Sequence, residues 1–358
     1  MTTLEIPHQR LFNQHISQHS FENPADVVAW LVASQAQDYA GAKWALGLRM
    51  RDATDIDIEQ AFQEGSILRT HVMRPTWHFV APADIHWLLA LTAARVKAVS
   101  AYQYRQLALD QTTLTRSNDA LARALQGGRQ LTRDELRHVL QEAGIAVEEV
   151  LRLTYLVMHA ELEGIICSGP RRGKQFTYML LAERAPQART LEHDEALAEL
   201  SRRYFMSRGP ATVQDFAKWS GLTITESKRG LEMVKYHFEL EVVDGQSYWL
   251  SPSAAPPMDE SPTAYFLSIY DEYISSYKDR SAIGSESLGA QLRAMGNDLS
   301  YLVVVDGRIV GTWKRTLKKG AVVIKTNILT PLTGAENRAV AAAADQYGAF
   351  LGLSVVMG

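Results

Sequence analysis

Two glutamines, Gln35 and Gln37, flank Ala36 in a chain of 358 residues. A primary amide carries one carbonyl oxygen and two N–H donors, and it stays neutral near physiological pH. Such a pair can hold a water molecule and turn oxygen lone pairs toward a developing positive charge, but it is a poor general base. Their spacing sets a condition. On a helix, side chains two positions apart diverge by about 200°, so the pair can share one ligand only where the helix has ended and the backbone is extended. Asp38, Tyr39 and Gly41 follow directly and suit such an ending. From the letters alone, a plain polar helix end is the favoured reading, and a shared site stays open beside it.

Other chemistries are poorly supplied. Ten histidines are scattered through the chain; His15 and His19 lie four apart, but no carboxylate or cysteine pattern completes a metal site. Neither a metal nor another cofactor is expected. No glycine-rich phosphate loop follows a strand, and no nucleophilic serine elbow is present. The single cysteine, Cys167, lies in an apolar run and reads as a packed thiol. One cysteine excludes an intrachain disulfide framework and fits a reducing compartment. The N-terminus lacks a basic region followed by an apolar run. No apolar stretch approaches the ~18 residues of a membrane span. A cytoplasmic protein is expected, nucleoid-associated when bound to DNA.

The elements that must position the glutamines form a repeated pattern. In residues 117–182, a helix ends at Gly127-Gly128, and Thr132 to Glu135 make a capping box for a second helix. A third helix runs from about Glu148 to Leu162. Strands from Ile165 to Leu181 then surround Gly169-Pro170-Arg171-Arg172-Gly173. Three helices followed by a hairpin with a basic tip is the order of a winged helix. Residues 191–252 repeat it, with Thr212 to Asp215 capping the second helix and Asp244-Gly245 turning the hairpin. The N-terminal region reads as a third copy. Asn23-Pro24 opens a helix to about Ser34, further helices lie around Gly41–Met50 and Ile56–Gln63, and strands Ile67–Val72 and Thr76–Val80 precede a long helix from Pro82 to about Tyr104.

The fold class expected is therefore mainly α with small β hairpins, an α+β arrangement of three tandem winged-helix units plus a C-terminal mixed β/α domain. The units are placed at 1–110, 111–190, 191–255 and 256–358. A proline-rich linker spans Ser251–Pro262, and the C-terminal region offers a hairpin from Tyr301 to Trp313, a strand Ala321–Ile328, a helix Gly334–Phe350 and a last strand.

Net charge is −3, so a role on DNA must come from local basic clusters on an otherwise acidic surface. Such clusters are Arg171-Arg172 with Lys174, Arg202-Arg203 with Arg208, Lys228-Arg229, and Lys314-Arg315 with Lys318-Lys319. Each alone also fits a solvated surface.

A resemblance connects these observations. The run Ala33 to Asp38, the stretch Leu68 to Val80, Tyr270-Asp271-Glu272-Tyr273 with Tyr277 to Arg280, and Val305 to Arg308 with Gly311-Thr312-Trp313 resemble the AlkZ-like winged-helix DNA glycosylases over nearly the whole chain. The resemblance implies three tandem winged-helix units and excision of alkylated purines, with a catalytic motif of glutamine, an aliphatic residue, then glutamine or aspartate. Gln35 and Gln37 match its ends; Ala36 is smaller than the usual central residue. On this reading Gln37 positions water and faces C1′ while Gln35 supports it, and the protein acts as a monomer on double-stranded DNA. Arg69, Arg74 and His78 on the first hairpin, Arg171, Arg172 and Lys174 on the second, and Lys228 and Arg229 are the expected DNA contacts. Tyr270 to Arg280, with its three carboxylates, is expected to pack and pair inside the protein. A non-catalytic winged-helix regulator and a protein-interaction scaffold are the competing readings.

Overall fold

The computed structural model describes residues 5–252, 261–284, 286–294 and 301–358. The chain opens with helix α1 (Glu5–Asn13), which the sequence reading did not foresee. Helix α2 (Pro24–Leu31) starts as expected: Pro24 takes the first turn, and the Asn23 side chain accepts the Asp26 N–H at 3.0 Å. It stops short of Ser34 because Val32 leaves the helix at φ 64°. A β-branched residue rarely adopts that conformation.

Strand β1 (Ala33–Gln35) follows, then helices α3 (Tyr39–Gly47) and α4 (Asp55–Glu64), and the hairpin β2 (Leu68–Val72) and β3 (Arg74–Val80). The three strands make a sheet in the order β1-β3-β2. Helix α5 (Ile85–Gln106) then crosses to the second segment.

There the same order recurs: α6 (Gln111–Ala124), β4 (Leu131–Thr132), α7 (Arg133–Glu142), α8 (Val150–Leu162), β5 (Ile166–Arg172) and β6 (Gln175–Leu180), with sheet order β4-β6-β5. After the short α9 (Leu181–Arg184) it recurs again: α10 (His193–Arg208), α11 (Val213–Ser220), α12 (Ile224–Val234), β7 (Glu239–Val243) and β8 (Gln246–Leu250). A bridge between Ala211 and Trp249 stands where the other segments place a third strand. The threonine caps form as read: Thr132 accepts the Glu135 N–H at 3.3 Å and Thr212 the Asp215 N–H at 3.1 Å, each with its reciprocal carboxylate bond.

The linker expected at Ser251–Pro262 lies largely outside the described residues. Beyond it come β9 (Ala264–Leu267), which was not anticipated, α13 (Glu272–Ser275), α14 (Glu286–Ala294), β10 (Leu302–Val305), β11 (Arg308–Lys318), β12 (Ala321–Ile328), α15 (Gly334–Leu351) and β13 (Ser354–Met357). The strands form one sheet in the order β13-β12-β11-β10-β9, antiparallel except for the β12–β13 pair. The whole is a mixed α/β architecture.

Two large cores, with a small third cluster around Ile6 and Tyr248, hold the described residues together. One joins the first segment to the C-terminal sheet, with Trp44, Phe62 and Phe79 sharing an interior with Phe266, Trp313 and Tyr347. The Trp44 indole N–H donates to the Phe266 carbonyl at 2.6 Å. The other joins α5 to the second and third segments through Trp87, Leu153, Leu200 and Trp219. Strand β1 runs along the seam: Val32 and Ala33 belong to the second core, Ala36 to the first.

Candidate active site

Because the helix ends at Leu31, the condition set by glutamine spacing is met. Strand β1 pairs antiparallel with β3, in the register Ala33 opposite Val80, Ser34 opposite Phe79 and Gln35 opposite His78. The Ala36 N–H extends the ladder, donating to the Trp77 carbonyl at 2.7 Å. Alternate residues of an extended chain share a face. Ala36 accordingly turns into the core, while Gln35 is half-buried and Gln37 exposed. The Gln37 Oε1 accepts the Trp77 N–H of the neighbouring strand β3 at 3.5 Å.

Strand β1 is the edge of its sheet, so the backbone groups facing away from β3 need other partners. They find them in side chains from distant segments. Arg208 Nη2 donates to the Ala33 carbonyl at 3.1 Å, and the Gln35 N–H donates to Glu272 Oε1 at 3.0 Å. Arg208 and Glu272 are themselves ion-paired at 2.8 Å, both fully buried. Glu272 Oε2 also accepts from Trp219 Nε1 at 2.8 Å and Ser276 Oγ at 2.7 Å. Burial alone would push this carboxyl up; Arg208 and Arg74 and the donated bonds outweigh it and hold the pKa down to about 2. Farther along, Arg69 Nε donates to the Ala36 carbonyl at 3.1 Å.

The first hairpin corrects a sequence expectation. Arg69 is 4% exposed, with its guanidinium between the Trp77 and Phe176 rings, 4.5 and 4.4 Å from their centroids. Desolvation lowers its pKa to about 10, so it remains a cation, but one spent on holding the glutamine segment rather than on DNA. His78 is completely buried. Its Nδ1–H donates to the Thr76 carbonyl at 2.9 Å, which leaves Nε2 to accept from Arg74 Nη2 at 3.1 Å. Burial, then the neighbouring Arg74 charge, depress its pKa to about 3, so the ring is neutral and offers no charge to a phosphate. Arg74 itself is largely enclosed; burial lowers its pKa while Glu272 opposes that shift. Facing inward follows from the register: Arg69 and His78 lie on strands packed between the two cores.

The remaining expected contacts are more accessible. Arg171 is partly covered, paired with Glu59 at 3.2 Å beside the Tyr39 ring. Arg172 is exposed and pairs with Glu135 at 2.8 Å; Lys174 stands exposed at the tip of the second hairpin. Lys228 and Arg229 are exposed on α12, with Arg229 bonded to Asp194 at 2.5 Å. Arg208, grouped by sequence with a basic surface cluster, is instead fully buried. Lys314, Lys318 and Lys319 are exposed on the β11–β12 hairpin.

Sequence reading passed over several residues that hold the glutamines. Tyr270 to Arg280 does pair internally, as expected: Arg49 grips Asp271 with bonds of 3.0 and 2.9 Å. Nothing in the local pattern, however, connects Glu272 with Gln35, 237 positions away. Trp77, within the stretch Leu68 to Val80, is one of these residues. Its indole N–H donates to Glu161 Oε1 at 3.3 Å, while His71, itself paired with Glu161, packs against its ring at a centroid distance of 4.3 Å. Asp38, beside Gln37, accepts a hydrogen bond from Tyr301 of the C-terminal segment. Among the described residues, no group of three or more metal-ligating side chains is assembled.

A model of the AlkZ-like DNA glycosylases matches residues 28–350. The chain belongs to that family. It is 28% identical, over 85% of each sequence, to a protein of Streptomyces sahachiroi named an interstrand DNA cross-link repair glycosylase. The solved structure of the Streptomyces sahachiroi DNA glycosylase AlkZ superposes over the full length of both chains with a TM-score of 0.82 at 23% identity, which establishes a shared fold. Family membership decides between the competing readings: the chain is a DNA glycosylase rather than a regulator or scaffold. No helix among the described residues is long and apolar enough to cross a membrane.

Proposed function

We propose that this glycosylase hydrolyses the N-glycosidic bond of N-alkylated, cationic purines in double-stranded DNA, with Gln37 positioning the water and Gln35 supporting it. The observation that carries the reading is the extended backbone from Ala33 to Ala36, which sets both glutamines on one side of a strand. A purine alkylated at N7 already bears a positive charge and leaves as a neutral base, so little acid catalysis is needed. The C1′–N9 bond breaks with its electron pair passing to the base. The water oxygen bonds to C1′, and its proton goes to solvent. What the protein supplies is a place for the water and partial negative charge facing the oxocarbenium-like sugar, and a carbonyl oxygen of Gln37 can do both.

The three segments that repeat helix, strand or bridge, helix, helix and hairpin support a reading as tandem winged-helix units. Lys174, Arg172, Lys228 and Arg229 are the accessible members of the expected DNA set, and Lys314, Lys318 and Lys319 join them. Gln37 lies at the surface rather than at the bottom of a cleft, which suits a bulky or cross-linked base. The test is selectivity. Duplexes carrying N7-methylguanine, N3-methyladenine or only normal bases are incubated with the enzyme, and abasic sites are counted. Release confined to the cationic bases supports the reading; equal release of undamaged purines contradicts it.

A further inference from the structure

A neighbouring strand on the open edge of β1 would present a donor to the Ala33 carbonyl and an acceptor to the Gln35 N–H, because those two groups point the same way from an extended chain. No strand is there. Arg208 donates to the one and Glu272 accepts from the other, and their own 2.8 Å ion pair joins them. We infer that the Arg208–Glu272 pair stands in for a missing strand and is a positioning element of the reaction, fixing the backbone from which Gln35 and Gln37 project.

Three observations converge on this. The pair is fully buried, where it costs desolvation that a packed apolar pair would avoid, so a buried ion pair here is weak as a source of stability. The spare lone pairs of Glu272 are taken by Trp219 Nε1 and Ser276 Oγ, and the Arg208 guanidinium lies 4.2 Å from the Trp219 ring centroid, so the carboxylate has little freedom to turn. On the far side, Arg69 holds the Ala36 carbonyl and the Trp77 carbonyl holds its N–H. The glutamine segment is therefore gripped along both edges, and the Arg208–Glu272 grip comes from the third segment and the C-terminal region. The pair touches backbone rather than substrate, so its effect must fall on the chemical step more than on binding.

The inference rests on the glycosylase reading of Gln35 and Gln37, and the experiment keeps the two separable. Glu272→Gln retains a carbonyl oxygen for Gln35 but loses the ion pair; Ser276→Ala removes the hydroxyl that donates to Glu272 Oε2 and accepts from Arg208 Nε at 2.8 Å, and leaves the ion pair itself. Single-turnover release of N7-methylguanine from a duplex, DNA affinity and amide hydrogen exchange at Gln35 and Ala36 are measured on the full chain. For Glu272→Gln we expect a single-turnover rate at least tenfold lower, affinity within about twofold of wild type, and faster exchange at Gln35 than at Ala36. Ser276→Ala should lose a few-fold in rate with unchanged affinity. A wild-type rate in folded Glu272→Gln overturns the inference, as does loss of rate and affinity in equal proportion. If Glu272→Gln fails to fold, Ser276→Ala decides: an unaltered rate and unaltered Gln35 exchange overturn the inference. Should wild type release no alkylated base, the glycosylase chemistry fails, and the exchange arm still reports whether the pair pins the strand.

Discussion

An amide has no proton to trade near neutral pH, and that property should be visible in kinetics. Neither Gln35 nor Gln37 titrates, Glu272 stays ionised down to about pH 2, and His78 stays neutral down to about pH 3. Release of N7-methylguanine should therefore be flat from pH 6 to 9; a bell-shaped profile would point to an acid–base pair that the proposed mechanism lacks. His78 has a second consequence, for stability. Its folded pKa of about 3 lies below the 6.5 of an unfolded histidine, so between those values unfolding takes up a proton. Stability is unaffected above about pH 6.5 and falls as pH drops toward 3, by about 2 kcal/mol at pH 5 from this residue. Urea melts at pH 7.5 and pH 5 should show the loss, and His78→Gln should shrink it; an equal loss in the variant would contradict the assignment. At this scale the spacing of Gln35 and Gln37 was legible as a geometric condition, which the extended backbone meets. It misled for Arg69 and His78, because a basic side chain on a hairpin reads as surface until the packing around it is known.

Elements were more readable than residues, for local reasons. Asn23-Pro24, Thr132 with Glu135, and Thr212 with Asp215 are caps whose physics lies within four residues, and each formed where expected. The end of α2 was misplaced because Val32 at φ 64° is a conformation that only tertiary contacts enforce. β9 was missed because a short apolar strand takes its identity from its partner β10. One turn carries a further prediction. Gly221, at φ 75° between α11 and α12, lies so close to the first hairpin that an added Cβ would meet the Met73 carbonyl oxygen at 2.4 Å. Gly221→Ala should cost about 2 kcal/mol or more by urea denaturation, from strain and the displaced contact together. Gly245→Ala, whose Cβ would meet nothing within 4 Å, should cost less. Equal losses would remove the argument for a close seam between these segments.

For the whole molecule, the two cores explain why the glutamines lie where they do: one core reaches the C-terminal sheet, the other the second and third segments, and β1 runs between them. That arrangement was invisible in a linear reading, since its contacts join residues more than two hundred positions apart. A chain of net charge −3 must meet DNA through local clusters of its cations, so salt dependence is informative. The logarithm of affinity for a duplex should fall linearly with the logarithm of salt concentration, and replacing Lys318 and Lys319 by alanine should reduce the slope by up to about 2. An unchanged slope would remove that hairpin from the interface. The central claim is that this chain removes cationic purines by means of Gln37, and one measurement addresses it most directly. Wild type and Gln37→Ala are incubated with a duplex carrying a single N7-methylguanine, and abasic sites are followed in a single turnover. The account predicts release by wild type and a rate at least a hundredfold lower in the variant, on the order of 3 kcal/mol of lost transition-state stabilisation, with DNA affinity retained. Equal rates in the two proteins, or no release by either, would contradict it.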